Sequence, residues 1–182
     1  MQVILDKNES ELVELFSEDA IQNRIRELAK EINNTFPKNE ELVVIAVLAG
    51  SILFASDLIK RLHMPIQFEF VRLSSYGNDQ KSSGRVKPVD LTLPSLEGKN
   101  VLIVEDIVDT GHTANFMIDY IKLQHKPATI KFATLLDKVC ARQKHVDISY
   151  SGFEVDNKFV VGYGLDYLGY LRNLPYIGYF PQ

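Results

Sequence analysis

Residues 101–113 read Val-Leu-Ile-Val-Glu-Asp-Ile-Val-Asp-Thr-Gly-His-Thr, and no other stretch limits the fold so tightly. Positions 101–104 are all apolar and mostly β-branched, the pattern of a strand covered on both faces. Glu105 and Asp106 break that run. Two apolar residues later comes Asp109-Thr110-Gly111-His112-Thr113, a run of turn formers and hydroxyls. From Ala114 the spacing turns helical, with Ala114, Met117, Ile118 and Ile121 on one face. The order is buried strand, tight loop, helix N-terminus. It recurs upstream, where residues 42–48 are fully apolar, Ala49-Gly50-Ser51 closes them, and residues 52–62 have helical spacing with Ser51 as the expected cap. Two such units predict an α/β fold with a central, mainly parallel sheet flanked by helices.

The remaining segments fit that frame. Residues 18–34 are predicted helical, capped by Ser17, with Ile21, Ile25, Leu28 and Ile32 as a core stripe. Residues 66–73 and 129–136 read as strands. Between Gly77 and Leu91 the apolar pattern is lost, and a loop of that length in a compact domain is usually a functional lid or disordered. After residues 159–163 the tail is rich in Gly, Tyr and Pro and reads as short strands and loops. With 182 residues and no linker-like stretch, a single domain is expected. The formal net charge of −4 argues against nucleic acid as the main partner. No apolar run approaches the roughly 20 residues of a spanning helix, and no basic-then-apolar leader opens the chain, so no membrane association and a cytoplasmic location are expected. The single cysteine, Cys140, rules out an intrachain disulfide framework and reads as an inert, partly buried thiol.

The loop at 109–113 carries chemistry. A helix N-terminus presents unpaired N–H groups and partial positive charge, which favour an anion. Gly111 lets the backbone curl closely, and Thr110 and Thr113 add hydroxyl donors. The Gly-Lys-Ser/Thr of a nucleotide triphosphatase loop is absent. Glu105 and Asp106 would repel phosphate, but they suit the cis-diol of a ribose and can help to hold Mg²⁺. Phosphate on one side and a diol on the other describe a ribose 5-phosphate.

The stretch resembles the phosphoribosyl pyrophosphate (PRPP) motif of type I phosphoribosyltransferases at every motif position. Three further stretches resemble the bacterial type of hypoxanthine-guanine phosphoribosyltransferase. They are Leu135-Leu136-Asp137-Lys138, the segment 156–167 around Phe159, Val160 and Asp166, and Ser74-Ser75-Tyr76-Gly77. The resemblance implies the type I fold, with a small hood built largely from residues 150–182. It implies that Glu105 and Asp106 bind ribose, and that Asp109, Thr110, Gly111, His112 and Thr113 bind the 5′-phosphate. His112 is expected to act as a backbone donor with its ring toward solvent. Ala49, Gly50 and Arg172 would hold pyrophosphate, although the family's basic residue is replaced here by Ala49. Backbone N–H groups, Arg172 or a neighbouring subunit would make up for it. Lys138, Phe159, Val160 and Asp166 would bind the purine. An ammonium at Lys138 favours a 6-oxo acceptor over the 6-amino group of adenine, and Phe159 can stack on the ring. Hypoxanthine, guanine and xanthine all fit that description.

The implied reaction is Mg²⁺-dependent transfer of the 5-phosphoribosyl group from PRPP to N9 of hypoxanthine or guanine, with the metal near Glu105, Asp106 and Asp166. Asp109 is the implied general base, and a helix N-cap role is compatible with that. The loop opened by Ser75 and Tyr76 would close over the reacting centre and exclude water. A homodimer or homotetramer is expected. The rival reading is a PRPP-binding regulator of the same fold that binds nucleic acid. The acidic balance and the Lys138 and 159–166 stretches favour the purine enzyme.

Overall fold

The computed structural model of the protein describes residues 12–75 and 86–181. Tyr76 and the stretch 78–85 of the expected lid lie outside them. Nine strands and three α-helices are described, beginning with β1 (Val13–Phe16), α1 (Glu18–Thr35) and β2 (Leu42–Leu48). Then come α2 (Ile52–Ile59), β3 (Ile66–Ser75) and β4 (Val86–Asp90). The second half holds β5 (Asn100–Val108), α3 (His112–His125), β6 (Thr129–Asp137), β7 (Tyr150–Glu154), β8 (Val160–Val161) and β9 (Ile177–Tyr179). A short 3-10 turn, Val139–Ala141, separates β6 from β7.

Six strands form the central sheet in the order β4-β3-β2-β5-β6-β7. The five from β3 to β7 run parallel, and β4 joins the edge antiparallel to β3. The apolar runs predicted as doubly covered strands are so: residues 42–46 and 101–104 are fully buried. One face packs on α1 and α2 through Ile21, Ile25, Leu28, Ile32, Phe54 and Leu58. The other packs on α3 through Ala114, Met117 and Ile121. Because five strands point the same way, the loops after β2, β5 and β6 open on one edge, where ligands of open α/β sheets bind.

Several expectations need correction. β5 does not stop at Glu105; its pairing with β6 continues through Glu105↔Thr134 to Val108↔Asp137, so the acids lie on the strand. Helix α3 starts at His112, with Gly111 at φ 85° as its N-cap, so Asp109 does not cap it. Ser17 caps α1 as predicted, its hydroxyl accepting from the Ala20 N–H at 3.2 Å. Ser51 does not cap α2, because its backbone is already helical and its buried hydroxyl turns back to donate to the Val47 carbonyl at 2.7 Å. Strand β4 lies inside a stretch read as loop, since pairing with β3 supplies what its sequence pattern does not. Strand β7, expected in the hood, belongs to the central sheet. The smaller sheet is β1-β9-β8 and takes a strand from the N-terminal side that the sequence pattern did not reveal. Cys140 is exposed rather than partly buried, because the 3-10 turn carrying it buries none of its residues.

Candidate active site

Strand β5 delivers the acids to the open edge of the sheet. Adjacent residues of a strand face opposite ways, and the two carboxylates have different neighbours accordingly. Glu105 is buried, and among the described residues its Oε2 has no hydrogen-bond partner. Burial pushes its carboxyl well above the ordinary range, the Asp106 charge adds to this, and the Arg142 charge opposes it. Asp106 is half-buried, and Gly50 lies against its carboxylate. Burial raises it from 3.8 to about 6, against the Asp106 and Ile107 backbone N–H groups and Arg172; Asp166 pushes it up further. Two carboxylates held this way are under-solvated and want hydroxyls or a cation.

Beyond them, Glu105, Val108, Asp109, Thr110, Gly111 and Thr113 line a cavity of about 70 Å³ at the N-terminus of α3. This is the expected phosphate loop, brought together as one cup. A larger groove of about 400 Å³ runs along the outer face of α3 past Phe116, Tyr120 and Leu123. It shares only His112 with the loop and has neither Glu105 nor Asp106 in its lining, whereas Glu105 lines the smaller cavity. His112 is partly exposed, and its Nε2 lies 3.1 Å from Gln143 Oε1 in a contact at the surface. The carboxylate of Asp109 has no hydrogen-bond partner among the described residues, and Asp109 is exposed at the mouth of the cup.

The loop after β2 faces Asp106. The Leu48-Ala49 peptide is cis, Ala49 is exposed, and Gly50 is buried. A Cβ on Gly50 would collide with the Asp106 carboxylate, and one on Gly164 would strike the Gly50 carbonyl. Glycine at both positions thus lets the loop, the acid and the hood approach one another. The hood brings Asp166, whose Oδ2 accepts from the Gly169 N–H at 2.7 Å and whose Oδ1 is 2.8 Å from Arg172 Nη2. Arg172 also donates to the Gly164 carbonyl at 2.7 Å. Gly50, Asp106, Asp166 and Arg172 therefore lie together as one group.

On the far side, the ammonium of Lys138 makes no hydrogen bond among the described residues, while its N–H donates to the Val108 carbonyl at 3.0 Å. Phe159 is 61% exposed, which excludes an ordinary core role for its ring. Its edge meets Tyr167 at 6.0 Å. Val160 is buried and pairs with Tyr179 in the small sheet. Ser75 ends β3. Among the described residues no three His, Cys, Asp or Glu side chains come together as a ready-made metal centre. One residue went unsuspected: Arg142, whose guanidinium reaches the end of β5. A lone arginine in a polar stretch carries no signal of that in sequence.

The model of the phosphoribosyl transferase domain family matches residues 13–168. A bifunctional protein named TilS/HprT from Listeria monocytogenes is 46% identical over 164 residues, 90% of this chain; the chain spans about a quarter, 25%, of that longer relative. The hypoxanthine-guanine phosphoribosyltransferase of Mycobacterium avium is 42% identical, covering 90% of this chain and 83% of its own. The crystal structure of hypoxanthine phosphoribosyltransferase from Trypanosoma cruzi in complex with the product IMP superposes with a TM-score of 0.82 at 40% identity, covering 92% of this chain and 93% of the other. The chain belongs to the type I phosphoribosyltransferases, and within them to the hypoxanthine-guanine family.

Proposed function

We propose that the protein transfers the 5-phosphoribosyl group from PRPP to N9 of hypoxanthine or guanine, giving IMP or GMP and pyrophosphate. The observation that carries this reading is the grouping at the C-terminal end of β5. An unpartnered Glu105 oxygen borders a phosphate-sized cup, and Asp106 faces Gly50, Asp166 and Arg172. In the reaction the anomeric C–O bond breaks, its electrons leave with pyrophosphate, and the N9 lone pair forms the new C–N bond. Glu105 and Asp106 hold the diol beside the positive charge that develops on the ribose, and the 110–113 N–H groups and hydroxyls hold the 5′-phosphate. Arg172 and the backbone of Ala49 and Gly50 receive the leaving group. Asp109, its carboxylate uncommitted, takes the proton the purine loses. Lys138 donates to the 6-oxo group, Phe159 stacks on the ring, and main-chain groups at Val160 and Asp166 meet the base edge.

Mg²⁺ suits this donor set, since crowded, desolvated carboxylates bind hard cations. With no three-residue cluster among the described residues, its remaining ligands would be substrate oxygens and water. Near Asp106 and Asp166 it would supply countercharge for the pyrophosphate. The 182 residues act as one domain in this reading, assembled as a homodimer or homotetramer in the cytoplasm. No helix among the described residues is long and apolar enough to cross a membrane.

The test is pyrophosphate release with PRPP, Mg²⁺ and each of hypoxanthine, guanine, xanthine and adenine, for the wild type and Asp109→Asn. Release is expected with hypoxanthine or guanine and not with adenine, and the xanthine arm reads how far the 6-oxo preference extends. Asp109→Asn should lower turnover by roughly 10²–10⁴-fold, with the KM for PRPP little changed. No release with any base would end the proposal.

A further inference from the structure

The β6–β7 connection touches both halves of the site, and one side chain in it does most of the joining. Arg142 donates from Nε to the Asp109 carbonyl at 3.1 Å and from Nη2 to the Val108 carbonyl at 3.2 Å. The same Nη2 pairs with the Asp137 carboxylate, and both side chains are largely buried, at 16% and 17% exposure. Asp137 immediately precedes Lys138, whose own N–H is bound to the Val108 carbonyl. The contacts continue down the loop: Gln143 and Lys144 N–H groups both donate to the Thr110 carbonyl at 3.0 Å. Asn115 bridges the Gly111 carbonyl at 2.9 Å to the His145 carbonyl at 2.8 Å. Gly111 has no room for a side chain because Lys144, Val146 and Arg142 Cδ press against it.

A planar, always-charged fork with several fixed donors suits this work, because it binds two carbonyls and a carboxylate at once in a fixed geometry. Each carbonyl it holds belongs to the turn that aims the Asp109 side chain. The carboxylate it holds belongs to the residue before the purine-side lysine. We propose that Arg142 is a positioning residue that locks the Asp109 turn to the Asp137-Lys138 strand end, so that a purine seated on Lys138 lies within reach of the Asp109 carboxylate. This rests on the reading of Asp109 and Lys138 given above. Arg142 itself touches no substrate.

The experiment compares wild type, Arg142→Ala and Arg142→Lys by steady-state kinetics with hypoxanthine and PRPP, by thermal melting, and with ethylguanidinium added. Misplacement of a reacting group by about 1 Å costs roughly 100-fold, so Arg142→Ala should lose on that order in kcat, raise the KM for hypoxanthine, and leave the KM for PRPP within about threefold. Ethylguanidinium should restore part of the lost rate. Arg142→Lys keeps the charge and the Asp137 pair but not the fork, so it should fold like the wild type and still lose most of the rate; it decides the matter if Arg142→Ala melts too low to assay. Wild-type kcat in Arg142→Lys would overturn the proposal. So would a loss in Arg142→Ala that follows the unfolded fraction, with both KM values unchanged and no response to ethylguanidinium. A wild type inactive with every 6-oxopurine would overturn the functional reading and this one together; an active wild type with unaffected variants overturns this one alone.

Discussion

Asp106 titrates in the wrong place for an ordinary carboxylate, and its surroundings explain both the cost and the use. Its folded value of about 6 lies above 3.8, so the ionised form is disfavoured in the folded protein. Its contribution to stability is therefore greatest below pH 4 and is lost as pH rises from about 4 to 6. Asp106→Asn should remove this dependence. In metal-free buffer the variant should melt higher than the wild type at pH 7–8, by roughly 2–4 °C for each kcal/mol relieved, and the difference should shrink toward pH 4. Melting curves between pH 4 and 8 check it; a variant less stable than wild type at pH 8 would contradict the account. The acids stood out in the sequence as the pair that breaks an apolar run. Their opposite surroundings were not legible there, because Arg142 comes to Glu105 from 37 residues away along the chain and Arg172 to Asp106 from 66, in segments with no apolar pattern to place them.

Among the elements, the turn between β5 and α3 was the most readable, because its chemistry is local. A glycine between two hydroxyl residues at a helix start has few other uses, and Gly111 at φ 85° is the N-cap. Gly111→Ala would place a Cβ 2.5 Å from the Lys144 carbonyl in a conformation that costs an L-residue about 1–2 kcal/mol. It should lower the melting temperature and raise the KM for PRPP at least several-fold, with the KM for the purine much less affected. Kinetics with each substrate varied in turn would show the asymmetry. Less readable were β1, β4 and β8, which owe their strand character to partners rather than to alternation. Ser51 shows the same limit: its type suggests a cap, and only the local backbone sends its hydroxyl to Val47.

Across the whole molecule, the hood must sit firmly on the sheet if Phe159, Asp166 and Arg172 are to face β5. A polar cluster between them serves this purpose. The Tyr163 hydroxyl, in the hood segment, donates to Asp57 of α2 at 2.6 Å; Gln22 of α1 donates to the same carboxylate at 2.8 Å, and Arg61 donates to Gln22 at 2.8 Å. Burial pushes the Asp57 carboxyl up, but the bonds from Lys60, Tyr163 and Gln22 outweigh it and hold it below the ordinary range. Burial raises the Tyr163 hydroxyl, so it remains a donor throughout. Tyr163→Phe removes one bond to a partly buried charge and should cost about 1–3 kcal/mol, read as a lower urea midpoint with an unchanged m-value.

What the sequence alone determined is whatever depends on neighbours a few residues apart. The doubly covered strands, the helix stripes, the glycine turn before α3 and the acids ahead of it all follow from periodicity and turn chemistry, which act over one turn or one strand. What the tertiary structure alone decided is which distant groups meet. The parallel sheet brings β2, β5 and β6 to one edge. The close approach of Gly50, Asp106 and Gly164 then gathers three loops, and Arg142 ties the turn at Val108 and Asp109 to Asp137 at the end of β6. Such meetings are set by packing between segments tens of residues apart, and no local pattern encodes them.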